Sequence, residues 1–242
     1  MFKFLKNIMN NEEVNLTNDA YSLHRILKTD IKKDPNVEED EIIYVCGCFW
    51  GAEKCFWKLP GVVTTSVGYA GGEKNNPTYY EVCSGLTGHS EVVRVIWDKR
   101  EIDVSDLLKM FWECHDPTQK NRQGNDMGTQ YRSAIYYKNE NNIKTILASK
   151  EQYQMELSKK NLGLIETEIK MIDSYFYAEQ YHQQYLASAG SRQYCSASPT
   201  KVKLGVFTGS NYKLEDHIWE NFNWEVDKCV LRSDNNPIKN NI

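Results

Sequence analysis

The stretch Val45-Cys46-Gly47-Cys48-Phe49-Trp50-Gly51 joins a short apolar run to a segment with helical spacing. The run over residues 42–46 is typical of a buried strand, and the apolar residues after the stretch recur every three or four positions until a proline. This pattern places Cys48 at a strand-to-helix turn, where Gly47 and Gly51 permit a tight bend. Because a helix N-terminus favours negative charge, we expect it to lower the pKa of Cys48. The stretch therefore presents either a nucleophile or an inert, buried cysteine.

The length and charge of the chain are typical of one globular domain with extensions. Its 242 residues suffice for one substantial core. The formal net charge of -4, with both signs interspersed, provides no basic surface for a nucleic acid or an anionic membrane. No apolar run approaches a membrane span, and the residues after Met1 lack the apolar core of a secretory signal. We therefore expect a cytoplasmic monomer, with a mitochondrial location less favoured because acidic residues soon follow the basic start.

Composition and periodicity divide the chain into three parts. Residues 1–41 are polar and charged and are predicted to form an N-terminal extension, and residues 42–190 form the central domain. Residues 191–242 are predicted to form an irregular C-terminal tail. Trp219, Phe222 and Trp224 indicate that this tail packs somewhere and is not free in solution.

Hydrophobic periodicity predicts interleaved strands and helices in the central domain. We expect strands over residues 42–46, 62–70, 91–97, 133–137 and 165–171. We expect helices after Cys48, after a capping box at Thr78 and Glu81, and over residues 107–115, 143–157 and 181–186. This order indicates an α/β or α+β domain in which helices flank one sheet.

The seven cysteines point to thiol chemistry rather than to a disulfide framework, because an odd number in a reducing compartment does not pair off. Cys55, Cys83 and Cys114 fall within apolar or helical patterns and are expected to be small core residues. Cys195 and Cys229 lie in the polar, irregular tail and have no comparable packing role. These two are therefore candidates for reactive thiols.

Glu91 stands out in the strand predicted over residues 91–97. It shares a face with the apolar residues Val93, Val95 and Trp97. A carboxylate in that position is either at an exposed strand end or buried with a raised pKa. Both interpretations remain open from the pattern alone.

Several segments together resemble the peptide methionine sulfoxide reductases of the A type. Residues 47–51 match the family's signature, and residues 76–85, 87–93 and 124–133 resemble its other motifs. With Tyr181-His182-Gln183-Gln184-Tyr185, the resemblance extends over roughly residues 42–190. It implies an α+β fold, a two-layer sandwich of the ferredoxin-like kind with one mixed sheet flanked by helices. It also implies reduction of methionine S-sulfoxide, free or in proteins, with thioredoxin as reductant and without metal or organic cofactor.

The resemblance assigns catalytic roles to four side chains of the central domain. Cys48 attacks the sulfoxide sulfur, and Glu91 donates the proton that the departing oxygen needs. Since a solvated glutamate is ionised near pH 7, burial must raise the pKa of Glu91 for this role. Tyr79 and Tyr131 are expected to donate hydrogen bonds to the same oxygen.

Three further residues are expected to bind and orient the substrate. Phe49 and Trp50 would form the apolar pocket for the methyl group on the sulfoxide sulfur, so that one epimer fits. Asp126 is expected to orient the backbone or a substrate amide, although it is also a common turn residue. His89 and His182 are assigned to structure.

The tail is expected to supply the thiols that regenerate Cys48. Attack leaves a sulfenic acid on Cys48, which a second thiol can convert into a disulfide. The resemblance gives this role to Cys195, with Cys229 as a further relay thiol. The sequence departs from the family here, because Ser196-Ala197-Ser198-Pro199-Thr200 replaces glycine-rich surroundings. Cys46 is expected to point with Cys48 or into the core without reacting.

Two other functions are compatible with some of the same residues. A cysteine hydrolase would pair Cys48 with His89 or His182 and would not need the tail cysteines. A zinc-binding module would use Cys46, Cys48 and histidines, but Cys-x-Cys without a second close pair fits structural zinc poorly.

Overall fold

A computed structural model describes residues 22–226 and 229–240 of the chain, apart from the side chain of Cys229. Eight strands are formed: β1 Glu39–Cys46, β2 Val62–Ala70, β3 Ser90–Asp98, β4 Arg122–Gln123, β5 Asp126–Met127, β6 Ser133–Tyr137, β7 Glu168–Met171 and β8 Tyr175–Tyr177. Six of them build one sheet in the order β7-β6-β1-β3-β2-β8, and β4 pairs with β5. Within the large sheet, β6 and β7 are parallel and the other neighbours are antiparallel.

Helices connect and flank these strands. They are α1 Phe49–Trp57, α2 Tyr79–Cys83, α3 Val104–Cys114, α4 Ile143–Lys159, α5 Asp216–Trp219 and α6 Cys229–Arg232. Short 3-10 turns occur at Thr129–Tyr131, Gln180–His182 and Tyr185–Ala187. A mixed sheet with flanking helices confirms the α+β alternative of the two that the periodicity left open.

The main core lies between one face of the sheet and the helices. Because side chains alternate along a strand, Tyr44 of β1 points to this face and stacks on Phe56 of α1, with ring centroids 4.6 Å apart. Its neighbours Ile43 and Val45 point the other way and pack in a second cluster with Ile172. Among the described residues, no helix contributes to that second cluster.

The bounds of several expected elements differ from the structure. β1 begins at Glu39 rather than at residue 42, and α3 begins at Val104 rather than at residue 107. The strand expected over residues 165–171 begins at Glu168. The helix expected over residues 181–186 is wrong, because two 3-10 turns occupy this region instead. Gln184 separates them in the left-handed conformation, with φ 46 and ψ 43, which an α-helix cannot accommodate.

The tail packs against the domain, as its aromatic residues indicate. Leu204, Ile218 and Phe222 are buried in the main core. No helix within the described ranges is long and apolar enough to cross a bilayer.

Candidate active site

The structure places Cys48 at the predicted turn between strand and helix. β1 ends at Cys46, and Cys48 is the N-cap residue of α1 with φ -56 and ψ 122. Gly47 between them has φ 83, and a Cβ there would lie 2.5 Å from Cβ of Gln123. Glycine is thus required by both the backbone conformation and the close approach. The turn leaves Cys48 as a residue 8% exposed at the start of the helix.

The electrostatic surroundings of Cys48 correct one expectation. Burial raises its pKa well above the usual value, and the charges of Glu91 and Asp126 act in the same direction. The backbone N–H of Trp50 lowers the pKa, as a helix N-terminus should, but this effect is smaller than that of burial. The thiol is therefore protonated at rest. The repulsion from Glu91 disappears whenever that carboxyl is neutral.

Glu91 is buried and carries a raised pKa, which decides between its two interpretations. It is 2% exposed on β3, and its Oε2 accepts a hydrogen bond from the backbone N–H of Phe49 at 3.2 Å. Burial, assisted by the charge of Asp126, raises the pKa of Glu91 from 4.5 to about 8, against the lowering effect of the Phe49 bond. Near neutral pH, a protonated carboxyl therefore lies beside the first turn of α1.

Tyr79 and Tyr131 converge on the same carboxyl from two segments. Tyr79 is the first residue of α2, which the predicted capping box of Thr78 and Glu81 begins. Tyr131 ends a 3-10 turn. Burial, and next the charge of Glu91, raises the pKa of both hydroxyls above the usual value, so both stay protonated as donors.

Asp126 lies at the site but is already bonded to the tail. It is 5% exposed in the hairpin of β4 and β5, and its Oδ1 accepts the hydroxyl hydrogen of Tyr194 at 2.6 Å. Sequence reasoning missed Tyr194, since only its position beside Cys195 could have indicated it.

An aromatic wall surrounds the start of α1. The Trp50 indole stacks on Tyr185, with ring centroids 3.8 Å apart and an interplanar angle of 15°. Its Nε1 donates to Nδ1 of His182 at 3.0 Å. The Phe49 ring also contacts His182, with centroids 5.1 Å apart. Phe49 and Trp50 thus belong to an aromatic cluster beside the Cys48 turn, and their binding of the substrate methyl group stays a prediction.

His182 is a buried, neutral ring with one hydrogen-bonded nitrogen. Burial lowers its pKa to about 3, so the ring is neutral. Because Nδ1 accepts from Trp50, the proton lies on Nε2. That atom is buried without a hydrogen-bond partner among the described residues, while the Tyr79 ring lies 4.5 Å away between centroids. Oε2 of Glu179 lies 4.0 Å from this nitrogen, beyond hydrogen-bond distance, so no hydrogen bond within the described residues uses the proton of His182.

Cys195 lies against the first turn of α1. A Cβ added to Gly51 would lie only 2.5 Å from Sγ of Cys195. Cys195 is 5% exposed, and its charge contributes to raising the pKa of Cys48. Three residues later in the tail, the backbone N–H of Ser198 donates to Oε1 of Gln123 at 3.1 Å. The Cys229 side chain lies outside the described residues.

The residues of the two alternative functions are arranged differently from what those functions need. His89 is structural as predicted, since Nδ1 accepts from Gly72 N and Nε2 lies 2.7 Å from the carbonyl oxygen of Lys74. Within the described ranges, no hydrogen bond joins a histidine to Cys48, as a hydrolase would require.

One buried cluster of three side chains has ligand atoms close enough together for a metal ion, and Cys48 is not part of it. The ligand atoms of Cys46, Cys114 and His115 lie within 4.8 Å of one another. However, His115 Nδ1 lies 2.7 Å from the Phe111 carbonyl oxygen, which only accepts, so Nε2 must accept from Ser133 Oγ at 2.8 Å. Both nitrogens of the neutral ring are occupied, which leaves two thiols and no four-ligand zinc site in the described part of the chain. Of the two orientations expected for Cys46, the structure shows the one in which its side chain points into the core.

Known proteins are similar to this chain in both sequence and fold. A family model described as peptide methionine sulfoxide reductase matches residues 40–212. The peptide methionine sulfoxide reductase MsrA of Vibrio vulnificus is 52% identical over 180 residues, which are 74% of this chain and 86% of that protein. The enzyme of the same name from Azotobacter vinelandii is 56% identical over 164 residues, covering 68% of this chain and 76% of its own.

Solved structures agree with these relatives. Methionine sulfoxide reductase A of Corynebacterium diphtheriae superposes with a TM-score of 0.64 at 38% identity, covering 80% of this chain and 99% of that one. Reduced Mxr1 from Saccharomyces cerevisiae superposes with a TM-score of 0.62 at 36% identity, covering 69% of this chain and 93% of its own. The chain therefore belongs to the peptide methionine sulfoxide reductase family of the A type and is an oxidoreductase.

Proposed function

We propose that this enzyme reduces methionine S-sulfoxide, free and within proteins, through a sulfenic acid on Cys48. The observation that carries the proposal is the buried Glu91, which lies beside the Cys48 turn and has a pKa of about 8. A carboxyl that is still protonated near pH 7 can donate to the sulfoxide oxygen while the Cys48 sulfur attacks the substrate sulfur. The S–O bond breaks, the substrate sulfur gains two electrons and becomes that of methionine, and the oxygen ends on Cys48 as a sulfenic acid. The proton that leaves the Cys48 thiol replaces the one that Glu91 donates, so the carboxyl is protonated again at the end of the step.

The surrounding side chains support the same step. Tyr79 and Tyr131 donate to the oxygen as it gains negative charge, and their raised pKa values keep their protons in place. Phe49 and Trp50 receive the methyl group. Because methyl and oxygen occupy different sides of a stereocentre, such a site admits one epimer. Asp126 orients the backbone or a substrate amide, and to bind a substrate amide it must exchange its hydrogen bond to Tyr194.

Cys195 is proposed to resolve the sulfenic acid. The Cys195 sulfur attacks the Cys48 sulfur and displaces the hydroxyl group of the sulfenic acid. That hydroxyl group leaves as water with the proton of the Cys195 thiol, and a Cys48–Cys195 disulfide forms. The contact between Cys195 and Gly51 supports this order, because it holds the thiol beside the turn that bears Cys48. Cys229 would pass the disulfide outward, and thioredoxin would reduce it.

We further propose a monomeric, cytoplasmic enzyme without metal or organic cofactor. Its parts are an extension over residues 1–41, a catalytic domain over residues 42–190 and a recycling tail over residues 191–242. The ferredoxin-like assignment is supported by the order β6-β1-β3-β2 of the four central strands, which α1 and α3 connect in a β-α-β-β-α-β sequence.

Incubation with each sulfoxide epimer and dithiothreitol tests the proposal. We expect the S epimer to be consumed and the R epimer to persist. Cys48→Ser should release no methionine, because a hydroxyl oxygen is a far weaker nucleophile than sulfur and holds its proton much more tightly, and Cys46→Ala should retain activity. Preference for the R epimer, or activity of Cys48→Ser within tenfold of the wild type, would overturn the proposal.

A further inference from the structure

Glu53 is a fully buried carboxylate that the proposed chemistry does not use. It lies on α1, one turn after Trp50, and is 0% exposed. Its Oε2 accepts the backbone N–H of Gln184 at 2.8 Å. Its Oε1 accepts from Nε2 of Gln184 at 2.7 Å and from Oγ1 of Thr65 at 3.0 Å. Both oxygens thus face donors, which is the arrangement that an ionised carboxylate needs.

A second layer of hydrogen bonds fixes the direction of this network. His24 Nδ1 accepts from the backbone N–H groups of Ile26 and Leu27, so its proton lies on Nε2. Nε2 lies 2.9 Å from Oγ1 of Thr65 and donates to it, which leaves the Thr65 hydroxyl hydrogen for Glu53. Every group that contacts Glu53 in this network is therefore a donor, and none can accept a proton from a neutral Glu53.

The main partner of Glu53 is the residue with the unusual backbone. Gln184 adopts the left-handed conformation, which is unfavourable for a residue that carries a side chain. Its backbone N–H and its side-chain amide both bond to Glu53, and its Oε1 accepts from Arg25 N at 3.2 Å. The two bonds from Gln184 to Glu53, here called the Gln184 clamp, offset this cost.

The left-handed turn lets one short segment surround Trp50. His182 precedes the turn and accepts from the Trp50 indole, while Tyr185 follows it and stacks on the same ring. Gln183 is anchored separately, through its side-chain amide, to both the N–H and the carbonyl of Val67 on β2. The segment is thus tied to the sheet by Gln183 and to α1 by the Gln184 clamp.

We propose that Glu53 is a positioning residue of the sulfoxide pocket, which through the Gln184 clamp holds Trp50 between His182 and Tyr185. The proposal rests on the proposed function, in which Trp50 lines the pocket for the substrate methyl group. Glu53 touches neither substrate nor Cys48. Its loss should therefore weaken substrate binding and leave the attack by Cys48 largely intact.

The surroundings of Glu53 make this role dependent on pH. Burial raises its pKa to about 7, against the lowering effects of the Gln184 and Thr65 hydrogen bonds and of the Arg25 charge. The other titratable groups near it are the neutral His24, with a pKa lowered to about 3, and Tyr175. When Glu53 takes up a proton, its new O–H meets only donors and one hydrogen bond is lost. The pocket should thus loosen as the pH falls below about 7.

Single-turnover reduction of methionine S-sulfoxide over pH 6–9 tests the proposal, because it separates the half-saturating concentration from the maximal rate. For Glu53→Gln we expect the half-saturating concentration to rise roughly tenfold, as when one hydrogen bond to a charged group is lost. The maximal rate should stay within about threefold. In the wild type the half-saturating concentration should rise below about pH 7, and this pH step should be absent from the variant.

Two further variants keep the test decisive. Glu113→Gln alters another buried glutamate, on α3 in an ion pair with Lys109, and should change neither parameter. In Gln184→Gly, glycine adopts the left-handed conformation readily and the backbone N–H still donates to Glu53. The half-saturating concentration of this variant should therefore rise less than that of Glu53→Gln. An unchanged half-saturating concentration in Glu53→Gln, or a pH step that persists in it, overturns the role of Glu53 alone. If Glu53→Gln does not fold, two results together overturn the role of Glu53. They are a wild-type half-saturating concentration in Gln184→Gly and a half-saturating concentration of the wild type that does not change with pH. Absence of any sulfoxide reduction by the wild type would instead refute the proposed function.

Discussion

At the scale of single residues, the proposed mechanism depends on a carboxyl that keeps its proton at neutral pH. Glu91 achieves this because burial outweighs the one hydrogen bond that favours its charged form. A general acid works only below its pKa, so the first step should be fastest below about pH 8 and slow above it.

Glu91→Gln should slow release of the first methionine by roughly 10²–10⁴-fold, because glutamine keeps the shape but cannot transfer a proton. The loss of rate above about pH 8 should disappear in this variant. Quenched single-turnover assays measure both effects, with Glu113→Gln as the matched buried control. A variant that reacts as fast as the wild type would return Glu91 to a structural role.

Protein stability provides an independent readout for the same variant. The folded-state pKa of Glu91 is raised from 4.5 to about 8, so the folded protein binds more protons than the unfolded chain between these values. The contribution of Glu91 to stability is therefore present below about pH 4.5 and is lost as the pH rises through about 8. Glu91→Gln lacks this loss, and its Tm relative to the wild type should rise from pH 5 to pH 8.5.

The residues assigned to the site came from the resemblance to the family, and the sequence pattern by itself did not predict their protonation. The strand pattern around Glu91 did not decide whether this residue is buried, because the end of a strand can be exposed to solvent or covered by other segments. The helix N-terminus predicted a lowered pKa for Cys48, and this was wrong since burial exceeds the effect of the Trp50 N–H. Desolvation depends on the segments that cover a group, and these come from distant parts of the chain.

At the scale of elements, α1 organises the site through its first two turns. Its N-cap is Cys48, its first residues are Phe49 and Trp50, and Glu53 lies on its second turn. Gly51 allows the tail to approach this helix, since any side chain there would meet Cys195. Helix formation alone would favour alanine at Gly51 by about 0.5–1 kcal/mol, so the close approach explains the glycine.

Gly51→Ala should slow the formation of the Cys48–Cys195 disulfide without preventing release of the first methionine. Its Cβ would lie 2.5 Å from Sγ of Cys195, so the tail thiol must move away. Trapping of the sulfenic acid and mass mapping after one turnover measure the effect, and Cys195→Ser gives the limit of no resolution. Gly163→Ala is the control, because its Cβ would make an ordinary 3.5 Å contact with Thr118. If Gly51→Ala forms the disulfide at the wild-type rate, Cys195 does not reach Cys48 across the first turn of α1.

Local periodicity predicted the elements whose side chains face one core and failed where distant polar groups shape the backbone. The apolar stripe over residues 107–115 corresponds to α3, because every third or fourth residue packs on the sheet. Residues 181–186 also carry helical spacing, yet Gln184 bonds to Glu53, 131 positions away. Such a bond leaves no signal in the local sequence.

At the scale of the whole molecule, the C-terminal segment docks on the outer side of α1. Nζ of Lys54 donates to the carbonyl of Ser233 at 2.8 Å, and Nε1 of Trp57 donates to that of Asn235 at 3.0 Å. Both lysines of this face, Lys54 and Lys58, are buried, with 1% and 4% exposure. The helix that presents Cys48 thus also anchors the end of the tail.

Lys58→Met should release this end of the tail while leaving the first chemical step intact. Nζ of Lys58 donates to the carbonyls of Asp234 and Asn236 and to Oδ1 of Asp234, at 3.0–3.1 Å. Hydrogen bonds to a charged group contribute about 1.5–3 kcal/mol each, whereas methionine keeps the apolar stem and donates none. Hydrogen exchange of amides in residues 229–240 should therefore accelerate by at least about tenfold, the factor that corresponds to about 1.4 kcal/mol.

Methionine release per enzyme in a single turnover should be unchanged in Lys58→Met, because Lys58 lies beyond the end of α1, away from the Cys48 turn. Lys144→Met, a substitution on α4, serves as the control for loss of a positive charge. Thioredoxin-driven turnover should fall more than turnover with dithiothreitol, since the released segment begins at Cys229 and the larger reductant depends on where that thiol is presented. Wild-type exchange rates in residues 229–240 of Lys58→Met would show that the segment is held by other contacts.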